Sequence, residues 1–314
     1  MLSVVAEGLT RKFNSFTAVQ NLNLKIEEGE VFGLLGPNGA GKTTTLRMLA
    51  ALISPTEGSA TVAGFDIRRD PSKVRQNVGI LTENPSLYER LSAFENMDFF
   101  AEAYGITNAT ERHQRIREAL EFLSLWNRRN DKVANYSKGM KQKLAIARTT
   151  LHKPKILFLD EPTAGLDPES SKEIRDLITQ LSEREKRTIL LCTHHLEDAE
   201  KLCSRVLIMN RSKALVTGTP EQLQEKTNSQ IIIKIQLKEI SPKIIDIAKQ
   251  NSQANMVNAN TQEGTLLINV KDPRVATPEI VSDLVKNGAK ILSVNVLRPS
   301  LEDTYLKLIK EQPH

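Results

Sequence analysis

The chain has 314 residues, enough for two domains, and 39% of them are hydrophobic, which supports ordinary packed cores. Lys and Arg number 43 against 38 Asp and Glu, a net charge of +5 that is too small to mark a nucleic-acid binder. No apolar run approaches the roughly 18 to 20 residues of a membrane-spanning helix, so any membrane role has to come through a partner.

The opening MLSVVAEGLT has no basic leader and meets Glu7 early, so a cytosolic location without a signal peptide is expected. Short apolar strands then alternate with helical patterns over residues 1–222, the signature of an α/β core with a parallel or mixed sheet covered by helices. The strand EVFGLL runs into GPNGAGKTT, residues 36–44, and then into the apolar helix TLRMLAALI. In that context the G-x-x-x-x-G-K-[ST] pattern predicts a phosphate loop. Successive backbone amides wrap the phosphates, Lys42 reaches the terminal oxygens, and Thr43 offers its hydroxyl to magnesium.

From about residue 85 to 152 the strand signal disappears and an all-helical insertion is predicted; SAFE at 92–95 is a capping box that opens a helix. Within the insertion, NYSKGMKQKLAIAR at 135–148 allows two readings. It is an amphipathic helix with a wet basic face, or an anion site in which Ser137 and the amides after it point donors at a phosphate. The stretch alone does not decide between them.

The strand ILFLD at 156–160 ends in two carboxylates, where open α/β sheets place ligands. Beside a phosphate loop, Asp160 is expected to hold magnesium through water and Glu161 to orient water as general base. A third strand, TILLCT, ends at His194. By itself such a histidine reads as structural, but in a nucleotide site it donates to the terminal phosphate; His195 is taken as structural. Cys192 and Cys203 lack metal-ligand spacing and read as buried thiols.

After TGTP at 217–220 the pattern changes to a small α+β accessory domain, residues 223–314. Ile231, Ile233, Ile235 and Leu237 alternate as a half-buried strand, Leu266, Ile268 and Val270 repeat this, and Leu292, Val294 and Val296 do so once more. TPEIVSDLVKNG at 277–288 predicts a helix with Thr277 as its cap and Pro278 at its first position, and Ser300 with Asp303 caps a last helix. The Asn/Gln-rich stretch at 249–262 reads as a surface loop or hairpin.

Taken in this order and spacing, Gly36–Thr44, Ser137–Gly139, ILFLDEPTAGLD and His194 resemble the ATP-binding subunits of ABC transporters. YSKGMKQKL, GILTENPSLYERLS and the ending LRPSLEDTYLKL are similar to the exporter subgroup that includes daunorubicin-resistance and sodium-export ATPase subunits. The resemblance implies a P-loop ABC ATPase core over residues 1–222 that hydrolyses ATP with Mg2+ and energises a separate multi-span permease from the inner face of the membrane. Two subunits, expected to be a homodimer, would close head to tail. ATP held by Gly36, Pro37, Asn38, Gly39, Ala40, Gly41, Lys42, Thr43 and Thr44 of one would be capped by Ser137, Lys138 and Gly139 of the other. That supplies the phosphate partner for the 135–148 helix from another chain.

The resemblance further implies that Phe13 stacks on adenine, that Asp167 belongs to a loop communicating between the two sites, and that Glu83 touches magnesium and the permease. Catalysis falls to Glu161, His194 and Lys42, and metal binding to Thr43, Asp160 and Glu83. Two positions depart from the family pattern. The signature reads Tyr-Ser-Lys-Gly-Met in place of Leu-Ser-Gly-Gly-Gln, and Glu83 replaces the usual glutamine. Lys138 then either offsets the added Glu83 charge in a closed dimer or is a solvated lysine facing the permease. A soluble ABC ATPase clamping nucleic acid or ribosomes is the rival reading, disfavoured by the single GKTT and the lack of heptads; a small-molecule kinase is a third.

Overall fold

The computed structural model describes residues 1–84, 86–226, 231–297 and 300–310. Pro85 of GILTENPSLYERLS and Arg298 and Pro299 of the final motif lie outside them. The chain forms two compact units, residues 1–220 and 221–314.

The first unit opens with long strands β1 (Leu2–Phe13) and β2 (Phe16–Glu27), then β3 (Val31–Leu35) and helix α1 (Lys42–Leu49). Strands β4 (Glu57–Val62) and β5 (Phe65–Asp66), helix α2 (Pro71–Asn77) and strand β6 (Val78–Leu81) follow. Helices α3 (Ala93–Ala103), α4 (Ala109–Phe122) and α5 (Lys138–Thr150) form the insertion expected from the sequence. The core resumes with β7 (Ile156–Asp160), α6 (Pro168–Glu183), β8 (Thr188–Thr193), α7 (Leu196–Leu202), β9 (Arg205–Asn210) and β10 (Lys213–Gly218), and α8 (Pro220–Lys226) begins at the boundary of the second unit.

A six-stranded sheet in the order β10-β9-β3-β8-β7-β6 is parallel except at its β10 edge, and an antiparallel sheet β2-β1-β4-β5 accompanies it. Every residue of β3, β7 and β8 is buried, as strands covered on both faces require. Their register aligns their carboxyl ends, Leu35 beside Thr193 and Asp160 beside Cys192. The residues that follow each strand therefore emerge side by side, and this alignment makes the site. In the insertion, the Ser92 hydroxyl accepts from the Glu95 amide (3.1 Å) while the Glu95 carboxylate accepts from the Ser92 amide (2.7 Å), fixing where α3 begins.

The second unit is an antiparallel sheet of order β12-β13-β11-β14, built from β11 (Ile231–Leu237), β12 (Ala254–Asn260), β13 (Thr265–Val270) and β14 (Ile291–Leu297), with α9 (Pro242–Gln250), α10 (Pro273–Lys286) and α11 (Leu301–Lys310). Ile233, Ile235 and Leu237 pack with Leu266, Ile268 and Val270 against Ile244 and Ile280. The Asn/Gln-rich stretch is a hairpin into β13, its turn held by the Asn260 side chain accepting from the Gln262 and Glu263 amides. Ser300 and Asp303 exchange capping bonds at α11.

Two expectations are corrected here. Helix α10 starts at Pro273 with Asp272 as cap, not at Thr277, so Pro278 lies inside it. Two cap-proline pairs five residues apart compete, and the earlier one wins because Asp272 accepts from the Arg274 amide at 2.9 Å. Leu292 and Val296 are exposed, because β14 is a sheet edge with an irregularity between Gln236 and Leu237 of its neighbour. Among the described residues no helix is long and apolar enough to cross a membrane.

Candidate active site

Beyond β3 the chain turns through the glycine loop into α1. Gly41 has φ +107°, and a Cβ there would lie 2.4 Å from the Ala18 carbonyl oxygen; a Cβ on Gly36 would lie 2.4 Å from that of Met209. Only glycine fits these two positions. Gly41 caps α1 without a side-chain acceptor, and no acidic residue stands in the first turn. The first amides of α1 thus point outward as an anion cradle. Lys42 is buried, its Nζ donating to the Gly36 carbonyl (2.7 Å) and the Pro37 carbonyl (3.3 Å).

Glu161 follows β7 in the left-handed region, φ +49°, a conformation that costs energy in a residue with a side chain. Its amide continues the sheet pairing to the Cys192 carbonyl (2.8 Å), so the strain is held in place by β8. One carboxylate oxygen lies 2.8 Å from Nδ1 of His194 and 3.6 Å from Nζ of Lys42. The other accepts from the Thr193 hydroxyl (3.2 Å), which itself accepts from the His195 amide (2.9 Å). The His195 ring stacks on that of His194 with centroids 4.2 Å apart.

Asp160 is almost fully buried, and its Oδ1 has no hydrogen-bond partner. Burial pushes its carboxyl above the ordinary value, a hydrogen bond from the Thr43 side chain opposes this, the Glu161 charge raises it, Lys42 lowers it, and Glu83 raises it. A buried, partnerless carboxylate oxygen beside a threonine hydroxyl, with Glu83 on the same wall, is a hard oxygen donor set that fits magnesium.

A cleft of about 350 Å³ has Pro37 to Thr44, Glu83, Glu161, Ala164 and His194 on its walls, and the buried Asp160 precedes Glu161 behind them. Phe13 is not on them: it lies half-exposed under the Arg11 guanidinium, 4.4 Å from ring to Cζ, and the aromatic side chain at the cleft is Phe16. The β1–β2 hairpin puts the two rings at paired positions, and the sequence gives no signal for which of them reaches the cleft. Sequence reasoning does not single out Thr193, the last residue of β8 before His194.

The cleft wall includes no residue of α5. Ser137 caps α5, accepting from the Met140 amide (3.2 Å), and Gly139 packs under Ser170, where a Cβ would come 2.5 Å from Oγ. Asp167 caps α6, accepting from the Ser170 amide (2.9 Å) and hydroxyl (2.7 Å), bonds that hold its carboxyl below the ordinary value. Lys138 is exposed, and its ammonium donates to the Gly165 carbonyl of its own chain (2.9 Å).

Residues 19–164 match the family model described as "ABC transporter", and residues 218–309 match "ATP-binding protein DrrA1-3-like, C-terminal domain". The chain is 32% identical over 303 residues to the linearmycin resistance ATP-binding protein LnrL of Bacillus subtilis, covering 96% of this chain and 97% of that one. It is 32% identical over 307 residues to the daunorubicin resistance ATP-binding protein DrrA2 of Streptomyces coeruleorubidus, covering 98% and 94%. Among solved structures, a dimeric post-hydrolysis state of the ATP-binding cassette MJ0796 bound to ADP and Pi aligns with TM-score 0.63 and 28% identity, over 69% of this chain and 98% of that one.

Proposed function

Because the chain belongs to the ABC transporter ATP-binding proteins, as an ATPase subunit with a DrrA-like C-terminal domain, we propose that it sandwiches ATP with a second subunit and drives a separate exporter permease by Glu161-assisted hydrolysis. The observation carrying this reading is the contact chain Lys42–Glu161–His194, 3.6 Å and 2.8 Å, formed where three neighbouring strands end beside the glycine loop.

The loop amides and Lys42 hold the β and γ phosphates. Glu161 accepts a hydrogen bond from the attacking water, with one carboxylate oxygen kept in place by His194 and the other by Thr193. As the water oxygen bonds the γ phosphorus, the bond to ADP breaks and ADP leaves with the electron pair. Asp160, Thr43 and Glu83 would hold magnesium, which would supply charge neutralisation for the transferring phosphoryl group. Phe16 packs toward the base. Ser137 and Gly139 of the second subunit cap the γ phosphate, so ATP contributes contacts to both chains and its loss separates them. The 1–222 domain is the motor, and residues 223–314 stabilise or regulate the pair. The resistance proteins among its relatives support export as the direction.

The test is capture from detergent-solubilised native membranes with Glu161→Gln, which should keep ATP bound while hydrolysis falls by about 10²–10⁴-fold. Co-purification of a multi-span membrane protein, identified by mass spectrometry, is the expected result. Recovery of ribosomes, nucleic acid or soluble protein alone would overturn the transporter reading in favour of a mechanical clamp.

A further inference from the structure

Between Glu161 and Asp167 the chain crosses from β7 to α6 in a tight turn, with the Ala164 amide bonded to the Glu161 carbonyl (3.2 Å) and the Leu166 amide to that of Thr163 (3.2 Å). Side chains of α5 grip this turn at two carbonyls. Gln142 Nε2 donates to Pro162 (2.8 Å), and Lys138 Nζ donates to Gly165 (2.9 Å). The fit at Gly165 is close: its φ is +63°, and a Cβ there would lie 2.4 Å from the Lys138 ammonium.

Lys138 is also the first residue of α5, where a cation faces the positive end of the helix dipole. Its ammonium gains nothing from its own helix there and finds its acceptor in the turn. With Gly139 seated against Ser170, and Ser170 bonded to Asp167, the start of α5 and the start of α6 are held as one piece with the turn between them.

We propose that Lys138 is a positioning residue for Glu161: by holding the Gly165 carbonyl it sets the turn that begins at Glu161, and so links the Ser137 end of α5 to the hydrolytic carboxylate of the same subunit. This rests on the role given to Glu161 above. A positioning bond of this kind acts on turnover, since a small misplacement of a water-orienting carboxylate lowers the rate of the chemical step while leaving ATP binding alone.

The experiment is steady-state ATPase kinetics on the full chain with Mg2+ and ATP for Lys138→Met and Lys138→Arg, with Glu161→Gln alongside. Lys138→Met should lower kcat roughly 5- to 20-fold and leave KM for ATP within about two-fold, while Lys138→Arg, which can still donate to a carbonyl, recovers at least half the rate. In the Glu161→Gln background, adding Lys138→Met should leave ATP-driven dimerisation, measured by light scattering, unchanged. Three outcomes would overturn the proposal: wild-type kcat in Lys138→Met, a rise in KM that accounts for the whole loss, or failure of the double variant to dimerise. The last would mean that the lysine touches nucleotide across the interface. If Glu161→Gln itself hydrolyses ATP at the wild-type rate, both the function reading and this proposal fall. If it is inactive while Lys138→Met is normal, only the proposal does.

Discussion

Asp160 is the residue whose surroundings most plainly ask for a cation. Burial raises its carboxyl above the ordinary 3.8, with the Thr43 hydrogen bond only partly opposing it. A carboxyl raised in the folded state binds more protons folded than unfolded between 3.8 and its raised value, so stability falls as pH rises through that window and stays lowered at neutral pH. Asp160→Asn should therefore stabilise the nucleotide-free chain at pH 7 by about 1 kcal/mol, or roughly 2–4 °C in melting temperature, and should remove magnesium-dependent hydrolysis. The stabilisation should shrink near about pH 4. A melting temperature that is unchanged or lower at pH 7, by calorimetry, would contradict the buried-charge account.

At the scale of elements, the site is three strand ends and one glycine turn, and that explains how much of it could be read in advance. Asp160, Glu161 and His194 sit at or just past the end of an apolar strand, and Lys42 and Thr43 close the glycine loop that follows another; such local signals survive without a structure. The Lys138–Gly165 bond spans 27 residues, and the choice between Phe13 and Phe16 depends on how one hairpin twists; neither leaves a periodic trace. The α10 start and the exposed Leu292 failed for a related reason, since competing caps and edge position are settled by neighbours rather than by pattern. The glycine turn yields the sharpest element-level prediction. Gly41→Ala must place a methyl against the Ala18 carbonyl at φ +107°, so it should destabilise the chain by about 2–3 kcal/mol in denaturant unfolding and abolish nucleotide binding measured by fluorescent ATP titration. Retention of both would mean the loop relaxes freely.

For the whole molecule, the decisive feature is what the cleft lacks: α5, with Ser137 and Gly139, is outside its wall. If Ser137 and Gly139 of a second subunit complete the site, as proposed, the chain hydrolyses only as a pair. Specific ATPase activity of the purified subunit should therefore climb with its concentration, with the total rate rising roughly as the square of concentration in the dilute range. A specific activity independent of concentration, at levels where sedimentation shows monomer, would place the whole catalytic centre in one chain. Removing residues 223–314 should shift that curve to higher concentration if this region stabilises the pair.

Helix α1 begins at a glycine, with no side chain capping its first turn and no acidic residue in that turn. A nucleotide phosphate bound there, as proposed, would close that turn and add to the stability of the fold. By mass action a ligand at about 100 times its Kd adds about 2.7 kcal/mol to the folded state. Degradation of transiently opened protein follows the population of the open form, so nucleotide depletion should speed turnover of this subunit in a pulse-chase measurement.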